Sequence, residues 1–367
     1  MDLRIWDQKY PLLKDLAAVP QDPVYHGEGD VRTHTAFVAD ALQQIPEYRE
    51  LDAYRQEILL TAALLHDVGK LHTTRQEDGR WVSPHHSAVG AVMVRQMLWE
   101  DHSGTPERRS FREAVCTLVR YHGLPLHAAM EDSGKRRLLM AASLGQQIPE
   151  FSIRMLCLLA QADVMGRICP DRQELLERID LCRLLAKELG CYVRPYQFPS
   201  AHTRFAYLND RYDLTEYPLY DDTWGPVILL SGLPGTGKDT FAASRYPDLP
   251  MISLDEIRRE LGVCPEESQM RVVDTANERA KGYLRRKEPF IWNATNLSPR
   301  IRQRIIGMMT DYKASVRIEF LETPWEEGLR RNAQRSRRVP EQAICHMLQE
   351  LVPPQPWEAR EVFWNCV

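Results

Sequence analysis

A glycine-rich nonapeptide, Gly232-Leu-Pro-Gly-Thr-Gly-Lys-Asp-Thr240, directly follows the apolar run Val227-Ile-Leu-Leu230. Glycines let a loop curl where a strand passes into a helix, so that unpaired backbone N–H groups surround a phosphate. A lysine at the end of such a loop reaches the β- and γ-phosphates of a nucleotide. The pattern therefore predicts an ATP-using phosphotransferase from about residue 225 onward. The predicted ATP-binding residues of the loop are Gly232, Gly235, Thr236, Gly237, Lys238, Asp239 and Thr240.

The residue after the loop lysine departs from the usual pattern. Phosphate-binding loops place Ser or Thr there as a magnesium ligand, whereas this chain has Asp239 followed by Thr240. A carboxylate can hold magnesium through water molecules. We therefore expect ATP with Mg²⁺ at this site without assigning the direct ligand.

A carboxylate and an arginine, Asp255 and Arg258, follow the next apolar segment, Met251-Ile-Ser-Leu254. In open parallel sheets ligands bind beyond the carboxyl ends of the strands, so Asp255 is expected to face the phosphates. There it can accept a proton from an attacking hydroxyl, and Arg258, one helical turn later, can hold an acceptor phosphate. The alternative is that Asp255 caps the helix that follows, and the two roles are compatible with each other.

Asn293 and Asn296 end a third apolar segment, and Arg300 lies just beyond them. At the ligand side of the sheet, these side chains would orient the acceptor or the Asp255 region. The asparagines are equally well explained as turn and cap residues.

Five arginines lie between Arg330 and Arg338, in the segment that ends at Pro340. A transferred phosphoryl group carries negative charge over its oxygens, and arginines on a closing segment stabilise it. The segment is therefore interpreted as a lid. The alternative is a solvated helix face.

Histidines and carboxylates recur along the N-terminal half, each within an apolar or glycine-containing segment. Imidazoles and carboxylates from different helices can converge on a divalent cation, which lowers the pKa of bound water to give a hydroxide nucleophile. The alternative is that they are helical residues satisfied by ordinary hydrogen bonds. The segments are Arg32-Thr-His34, Leu65-His-Asp67-Val-Gly-Lys70, His85-His86-Ser-Ala-Val-Gly90, Tyr121-His122 and Gln161-Ala-Asp163.

This ordered set resembles the HD superfamily of metal-dependent phosphohydrolases over roughly residues 20–190. The resemblance implies that His34, His66, Asp67 and Asp163 hold one metal. It also implies that His86 and His122 bind a second metal or the substrate phosphate, and that Lys70 contacts phosphate. His86 is preferred over His85 because its spacing to Gly90 is similar to that of other HD proteins. The remaining histidines of this half, expected to be surface or cap residues, are His26, His72, His102 and His127.

The elements that must position these residues divide the chain in two. Apolar residues at three- and four-residue spacing predict an all-helical domain over residues 1–195. Residues 196–224, rich in proline and tyrosine, are interpreted as a connector or docking arm. Apolar runs alternating with helix-length segments, the last of these runs being Val316-Arg-Ile-Glu-Phe-Leu321, predict an α/β domain with a parallel sheet over 225–367. The expected fold class is therefore multidomain, with an all-α domain followed by an α/β phosphate-binding domain.

Composition agrees with this organisation. The chain has 367 residues, more than one hydrophobic core usually organises. Charged residues near the start leave no apolar signal segment, and no run reaches the length of a membrane span, so we expect a cytoplasmic protein without a membrane partner. The eight cysteines form no CxxC pair, which argues against a zinc ribbon or a redox motif.

Over about residues 226–367, GLPGTGKDT, SLDEIR, NATN and the arginine lid together resemble the polynucleotide 5′-kinase domain of RNA-repair enzymes. By this resemblance, Asp255 is the general base toward a 5′-OH and Arg258 contacts the acceptor's phosphate. Lys238 and Arg335 contact the ATP phosphates. An HD domain joined to such a kinase resembles the bacterial HD-Pnk end-healing enzymes.

That resemblance implies phosphorylation of 5′-OH RNA or DNA ends, removal of a 2′-, 3′- or 2′,3′-cyclic phosphate, and a separate ligase acting downstream. Histidine-rich ligation suits one or two ions of Ni, Co, Cu, Mn, Fe or Zn at the HD site. Two alternatives remain open. One is a small-molecule or nucleoside kinase fused to a nucleotide-clearing HD phosphohydrolase, and the other is a nucleotide-sensing binding module.

Overall fold

A computed structural model describes residues 1–213, 216–264, 267–335 and 337–367. The chain forms two compact units. The first comprises Met1–His102 and Glu107–Tyr196, and the second comprises Ser103–Pro106 and Gln197–Val367. Over the described ranges, no helix combines the length and the apolar character needed to cross a membrane.

The first unit is built from helices, and capping side chains fix the starts of three of them. Asp30 accepts a hydrogen bond from the backbone N–H of Thr33, and Asp52 and Ser152 cap two further helices in the same way. Their apolar faces form the core of the unit. The helices are α1 Val31–Gln44, α2 Pro46–Arg49, α3 Ala53–Leu65, α4 Lys70–Thr73, α5 His86–Trp99, α6 Pro106–Tyr121, α7 Gly134–Ser143, α8 Ile153–Gly166 and α9 Arg172–Glu188.

A small antiparallel hairpin interrupts this helical unit between α4 and α5. Strands β1 Arg75–Glu77 and β2 Arg80–Val82 pair across Asp78 and Gly79, both of which have positive φ. An Asp-Gly pair suits this two-residue turn because glycine and aspartate tolerate positive φ. The helical fold class is confirmed, and this hairpin adds to it.

The second unit contains a five-stranded sheet whose order is β4-β5-β3-β6-β7. All of its pairings are parallel. Its central strands, β5, β3 and β6, are largely buried on both faces, as in parallel sheets covered by helices, whereas the edge strand β7 is half-buried. The fifth strand, which the sequence analysis did not identify, is the segment Glu-Val-Phe-Trp-Asn-Cys near the C-terminus. The strands are β3 Trp224–Ser231, β4 Met251–Ser253, β5 Ile291–Asn293, β6 Ala314–Glu322 and β7 Glu361–Cys366.

Helices follow the strands in alternation, which confirms the α/β fold class. Helix α10 precedes the sheet and belongs to the second unit, where Asn209, directly after it, donates to the carbonyl of Trp357 at 2.7 Å. The helices are α10 Ala201–Leu208, α11 Lys238–Arg245, α12 Leu254–Leu261, α13 Met270–Arg286, α14 Pro299–Asp311, α15 Trp325–Ala333 and α16 Glu341–Glu350.

Strand register brings the predicted polar residues to one edge of the sheet. Asn293 of β5 pairs with Leu230 of β3 on one side and with Ser253 of β4 on the other. The three strands therefore end level with each other. From β3 the chain runs to β4 on one side of the sheet, whereas from the adjacent β6 it runs to β7 on the other side. Such a switch point, between β3 and β6, opens a crevice for ligands.

Candidate functional site

The glycine-rich loop follows β3 and requires its glycines. Gly232, Gly235 and Gly237 have φ of 150°, 84° and 78°. A Cβ on Gly235 would lie 2.3 Å from the carbonyl oxygen of Gly328 in α15, and one on Gly232 would lie 2.5 Å from that of Leu321. Any side chain at these two positions would therefore displace backbone, which explains the residue type at each.

Lys238 begins α11 and lies back along the loop. Its Nζ donates to the carbonyl oxygens of Gly232 and Leu233, each at 2.9 Å. Burial lowers the pKa of Lys238 to about 8, against a smaller opposing effect of the Asp239 charge. Asp255 and Arg335 also act on this ammonium electrostatically, so the structure brings these charged residues into one site.

Asp239 is tied to the neighbouring strand. It accepts a hydrogen bond of 2.5 Å from the side-chain amide of Asn293, at the end of β5. Thr236 is buried and donates to the carbonyl of Leu233 at 2.8 Å, whereas Thr240 is exposed on α11. Asp239 is therefore a carboxylate held at the start of α11, where a magnesium ligand is expected.

Asp255 lies in the first turn of α12, with 67% of its side chain exposed. Ser253 caps this helix by accepting from the backbone N–H of Glu256, so the alternative interpretation of Asp255 as the cap is wrong. Asp255 instead accepts a hydrogen bond from Arg258, and Arg335 Nη2 lies 3.8 Å from its other oxygen. The three residues form one charged cluster.

The two remaining residues predicted for the acceptor site, Asn296 and Arg300, have different surroundings. Asn296 is buried, and its side-chain amide donates to the carbonyl of Leu230 at 2.7 Å. Its own carbonyl accepts from Ser231 Oγ at 3.0 Å, so Asn296 supports the end of β3 directly beneath the loop. Arg300 lies exposed at the start of α14.

The arginine segment begins within α15 and continues beyond it; Ser336 lies outside the described residues. Arg330 and Arg331 pair with Glu327 of the same helix. Asn332, which the sequence analysis did not single out, is buried and closes the segment. It donates to the carbonyl of Val339 at 2.8 Å and accepts from its N–H at 3.1 Å. Arg337 and Arg338 are exposed.

In the first unit, three histidines share one arrangement of their ring nitrogens. In His66, His86 and His122, Nδ1 lies at hydrogen-bond distance from a backbone carbonyl, which can only accept, so Nδ1 carries the proton. In the neutral ring, Nε2 is then an unprotonated donor atom for a metal. The acceptors are the carbonyl oxygens of Ala63, Ser83 and Val119, each at 2.8 Å.

The Nε2 atoms of these rings face one another and the carboxylate of Asp67. His86 Nε2 lies 3.3 Å from His122 Nε2 and 3.4 Å from Asp67 Oδ1, and His66 Nε2 lies 3.3 Å from Asp67 Oδ2. Burial lowers the pKa of His86 and, with the neighbouring imidazoles, lowers that of His122 to about 3. Two neutral rings then direct lone pairs at each other, an arrangement that a bound cation relieves.

Asp163 and His34 complete the cluster from α8 and α1. His34 Nε2 lies 3.1 Å from Asp163 Oδ1 and 3.8 Å from Asp67 Oδ2. Burial raises the pKa values of Asp67 and Asp163, but nearby positive charges outweigh it and hold both well below the usual range. The dominant charges are Lys70, whose Nζ lies 2.8 Å from Asp67, and Arg167 beside Asp163.

This donor set fits a metal. Ligand atoms of His34, His66 and Asp67 lie within 4.8 Å of one another, as do those of Asp67, His86 and His122, so these two groups share Asp67. A third such group, His26, Glu28 and His34, lies on the other side of His34. His66 Nε2 is also buried without a hydrogen-bond partner. Four imidazoles and two carboxylates suit a divalent transition ion.

Several residues around this centre were missed or misjudged from the sequence. The expectation that His26 is a surface or cap residue is wrong: its side chain is 12% exposed, and its ring packs against that of His34 at 4.9 Å. His102 is half-buried and stacks on Phe111, whereas His72, His85 and His127 are exposed. The missed polar residues, which no short motif marked, are Glu28 beside His34, Arg167 beside Asp163, and Gln21, which accepts a hydrogen bond from Lys70.

Comparison with known families agrees with both halves. Residues 31–161 match the HD domain family, and residues 227–354 match an AAA domain family. The chain joins an HD domain to a P-loop kinase-like domain. The HD domain implies a divalent metal, for which the His/Asp cluster is the candidate, and the P-loop domain implies a nucleotide with magnesium.

Characterised relatives match parts of the chain. A multifunctional CCA protein of Hahella chejuensis is 31% identical over 161 residues, which are 43% of this chain and 34% of that protein. An L-seryl-tRNA(Sec) kinase of Methanococcus maripaludis is 26% identical over 135 residues, which are 35% of this chain and 53% of that protein. The chain thus spans about a third to a half of the length of these relatives.

Proposed function

We propose that this protein heals nucleic-acid ends with two activities. The P-loop domain phosphorylates 5′-OH polynucleotide ends with ATP, and the HD domain removes a 2′-, 3′- or 2′,3′-cyclic phosphate. Together they convert broken RNA or DNA ends into ends that a separate ligase can join. The observation that carries the proposal is the cluster of Asp255, Arg258 and Arg335 beside the P-loop lysine.

In this proposal the exposed Asp255 carboxylate is the general base that accepts the proton of the attacking hydroxyl. Arg258, which already contacts Asp255, holds the phosphate that follows the terminal nucleotide of the acceptor. Lys238 and Arg335 stabilise negative charge on the transferred phosphoryl group. Because Arg258 would bind this phosphate, kinase activity should require Arg258 when the acceptor bears a phosphate and should not require it when the acceptor is a simple alcohol.

The other predicted residues have supporting roles. The P-loop backbone around Gly235 and Gly237 would bind the ATP phosphates, and Asp239 would help to hold Mg²⁺. Asn293 orients Asp239, to which it donates. Arg300 extends the acceptor site, and Asn296 acts indirectly by holding the end of β3.

In the HD domain, His34, His66, Asp67 and Asp163 hold one divalent metal. His86 and His122 hold a second metal or the substrate phosphate, and Lys70 adds positive charge for that phosphate. A metal bound there supplies an activated water for hydrolysis. Asp67 lies between Lys70 and the histidines, so it links the phosphate side of the site to its metal side.

The relatives support an RNA-linked substrate. One is, by its name, a kinase of seryl-tRNA, and another is a multifunctional CCA protein. The seryl-tRNA kinase also keeps a competing interpretation open, because its name does not specify a polynucleotide 5′ end as the acceptor. A small-molecule or nucleoside kinase fused to a nucleotide-clearing HD hydrolase would use the same P-loop.

A competition between acceptors tests the kinase assignment. The full-length protein is incubated with γ-labelled ATP and Mg²⁺, and with a 5′-OH oligonucleotide, its 5′-phosphorylated twin or a free nucleoside. We expect label only on the 5′-OH oligonucleotide. Labelling of the nucleoside without the oligonucleotide would contradict the proposal and support the small-molecule kinase.

The hydrolase is tested with the same oligonucleotide carrying a 2′-phosphate, a 3′-phosphate or a 2′,3′-cyclic phosphate at its other end. Each divalent ion among Mn, Co, Ni, Cu, Zn and Fe is added to chelator-treated protein. We expect phosphate removal that depends on the ion and is independent of ATP. Hydrolysis of free nucleotides alone would favour the nucleotide-clearing alternative.

A further inference from the structure

Glu28, in the loop before α1, is a buried carboxylate that contacts two histidines. Its side chain is 0% exposed, and its Oε1 lies 2.8 Å from Nδ1 of both His26 and His34. The contact with His26 has hydrogen-bond geometry. The contact with His34 has hydrogen-bond distance but lies off the direction of the ring N–H.

The loop that carries Glu28 is tied to the end of α8. Glu28 Oε2 accepts from the backbone N–H of Ile168 at 2.9 Å, and the N–H of Gly27 donates to the carbonyl of Ile168 at 2.9 Å. Ile168 follows Arg167, whose guanidinium holds Asp163. Glu28 therefore joins the segment that leads to His34 with the segment that holds Asp163.

His34 differs from the other three histidines of the cluster in its outer partner. His66, His86 and His122 each contact a neutral backbone carbonyl through Nδ1, whereas His34 faces a carboxylate there. Coordination of a metal by His34 Nε2 leaves the proton on Nδ1, 2.8 Å from Glu28. A carboxylate at that position fixes the ring orientation and increases the basicity of the coordinating nitrogen.

We propose that Glu28 is a positioning residue of the metal centre, which orients His34 and strengthens its binding to the ion without coordinating it. This inference rests on the metal site of the proposed function. Glutamine at this position cannot replace glutamate. If the glutamine oxygen faces the two imidazoles, its NH₂ group faces the N–H of Ile168, and two donors meet. If the amide is reversed, the NH₂ group faces the N–H groups of the imidazoles, and donors again meet.

The test is a Co²⁺ titration of the chelator-treated full-length protein, followed by its visible absorption. Glu28→Gln should bind Co²⁺ about 10- to 100-fold more weakly than the parent protein, with a changed absorption spectrum. Glu57→Gln, at a half-exposed glutamate of α3, is the matched control and should bind like the parent. Glu28→Asp keeps the charge and should recover part of the affinity.

Two results would overturn the inference while leaving the metal site intact: unchanged Co²⁺ affinity and spectrum in Glu28→Gln, or equal losses in the Gln and Asp variants. Failure of the parent protein to bind Co²⁺ would overturn the metal site and the inference with it.

A second measurement needs no Glu28 variant. In the Zn²⁺-loaded parent, ¹⁵N-histidine spectra should show His34, assigned through His34→Gln, protonated at Nδ1; protonation at Nε2 would refute the role.

Discussion

A buried ion-pair cluster joins α5, which begins at His86, to α6, which ends just before His122. Glu113 of α6 accepts hydrogen bonds from Nε and Nη2 of Arg95 in α5, the shortest from each at 3.0 and 2.9 Å, and one from Arg112 Nε at 2.8 Å. The Arg112 guanidinium also lies 3.9 Å from the centre of the Trp99 ring. Replacing Glu113 with glutamine removes the negative charge between two buried guanidinium groups.

The expected loss of stability follows from the pKa of Glu113. Burial raises this pKa, but the charges of Arg95 and Arg112 outweigh burial and lower it from 4.5 to about 2. A difference of about 2.5 pKa units corresponds to roughly 3 kcal/mol of folding free energy. Because the folded-state pKa is the lower one, this stabilisation is fully present above pH 4.5 and is lost as the pH falls toward 2.

Urea unfolding of the parent and of Glu113→Gln between pH 7 and pH 3 measures this contribution, with hydrogen exchange of α5 and α6 as the local readout. Glu113→Gln should lower the free energy of unfolding by about 3 kcal/mol at pH 7, and the difference should shrink as the pH approaches 3. Glu107→Gln, at an exposed glutamate of the same helix, is the control and should change little. A difference below about 1 kcal/mol at pH 7, or a difference independent of pH, would refute the reasoning.

Four further predictions concern the two sites. Asp255→Asn should lower the kinase rate about 10²- to 10⁴-fold and leave phosphate removal intact, and loss of both activities would argue against separate sites. Asp67→Ala should do the reverse, with metal content measured alongside, and retention of metal would contradict its role as a ligand. Gly235→Ala should abolish ATP binding in calorimetry because its Cβ meets a backbone oxygen at 2.3 Å. Gly282→Ala in α13 is a matched control, whose Cβ would lie 3.7 Å from the end of the Arg286 side chain, and it should bind ATP normally. Asn332→Ala removes both hydrogen bonds to Val339 and should raise the KM for ATP more than it lowers kcat. An unchanged KM would show that these two hydrogen bonds, which hold the arginine segment, are not needed for ATP binding.

Local sequence rules predicted the residues whose role depends on their immediate neighbours. The glycines of residues 232–237 stand where the backbone has positive φ, and a Cβ on Gly232 or Gly235 would also meet a backbone oxygen. The local loop conformation therefore dictates these residue types. The alternation of apolar runs and helical segments identified β3 to β6 because parallel strands are buried on both faces. The final strand, β7, was missed because its residues are only half-buried and follow no clear apolar run.

The metal centre shows what a sequence cannot contain. Residue type and order singled out His34, His66 and Asp67, but their partners depend on chain segments that meet only in the folded unit. Glu28 reaches Ile168 across 140 positions, and His34 reaches Asp163 across 129. No local pattern encodes such contacts, so His26 was taken for a surface residue and Glu28 was not noticed.

The backbone conformation of the glycine-rich loop is thus largely determined by the local sequence, because it depends on a few glycines and one lysine that are neighbours in the chain. Asp255 shows the boundary of that reasoning. The sequence allowed it to be either a base or a helix cap. Only the folded structure, in which Ser253 caps α12 and Arg335 approaches Asp255 from a segment 80 residues away, removed the second possibility. Local backbone preferences act between neighbours in the chain, whereas the charge around a carboxylate is set by whatever the fold packs beside it.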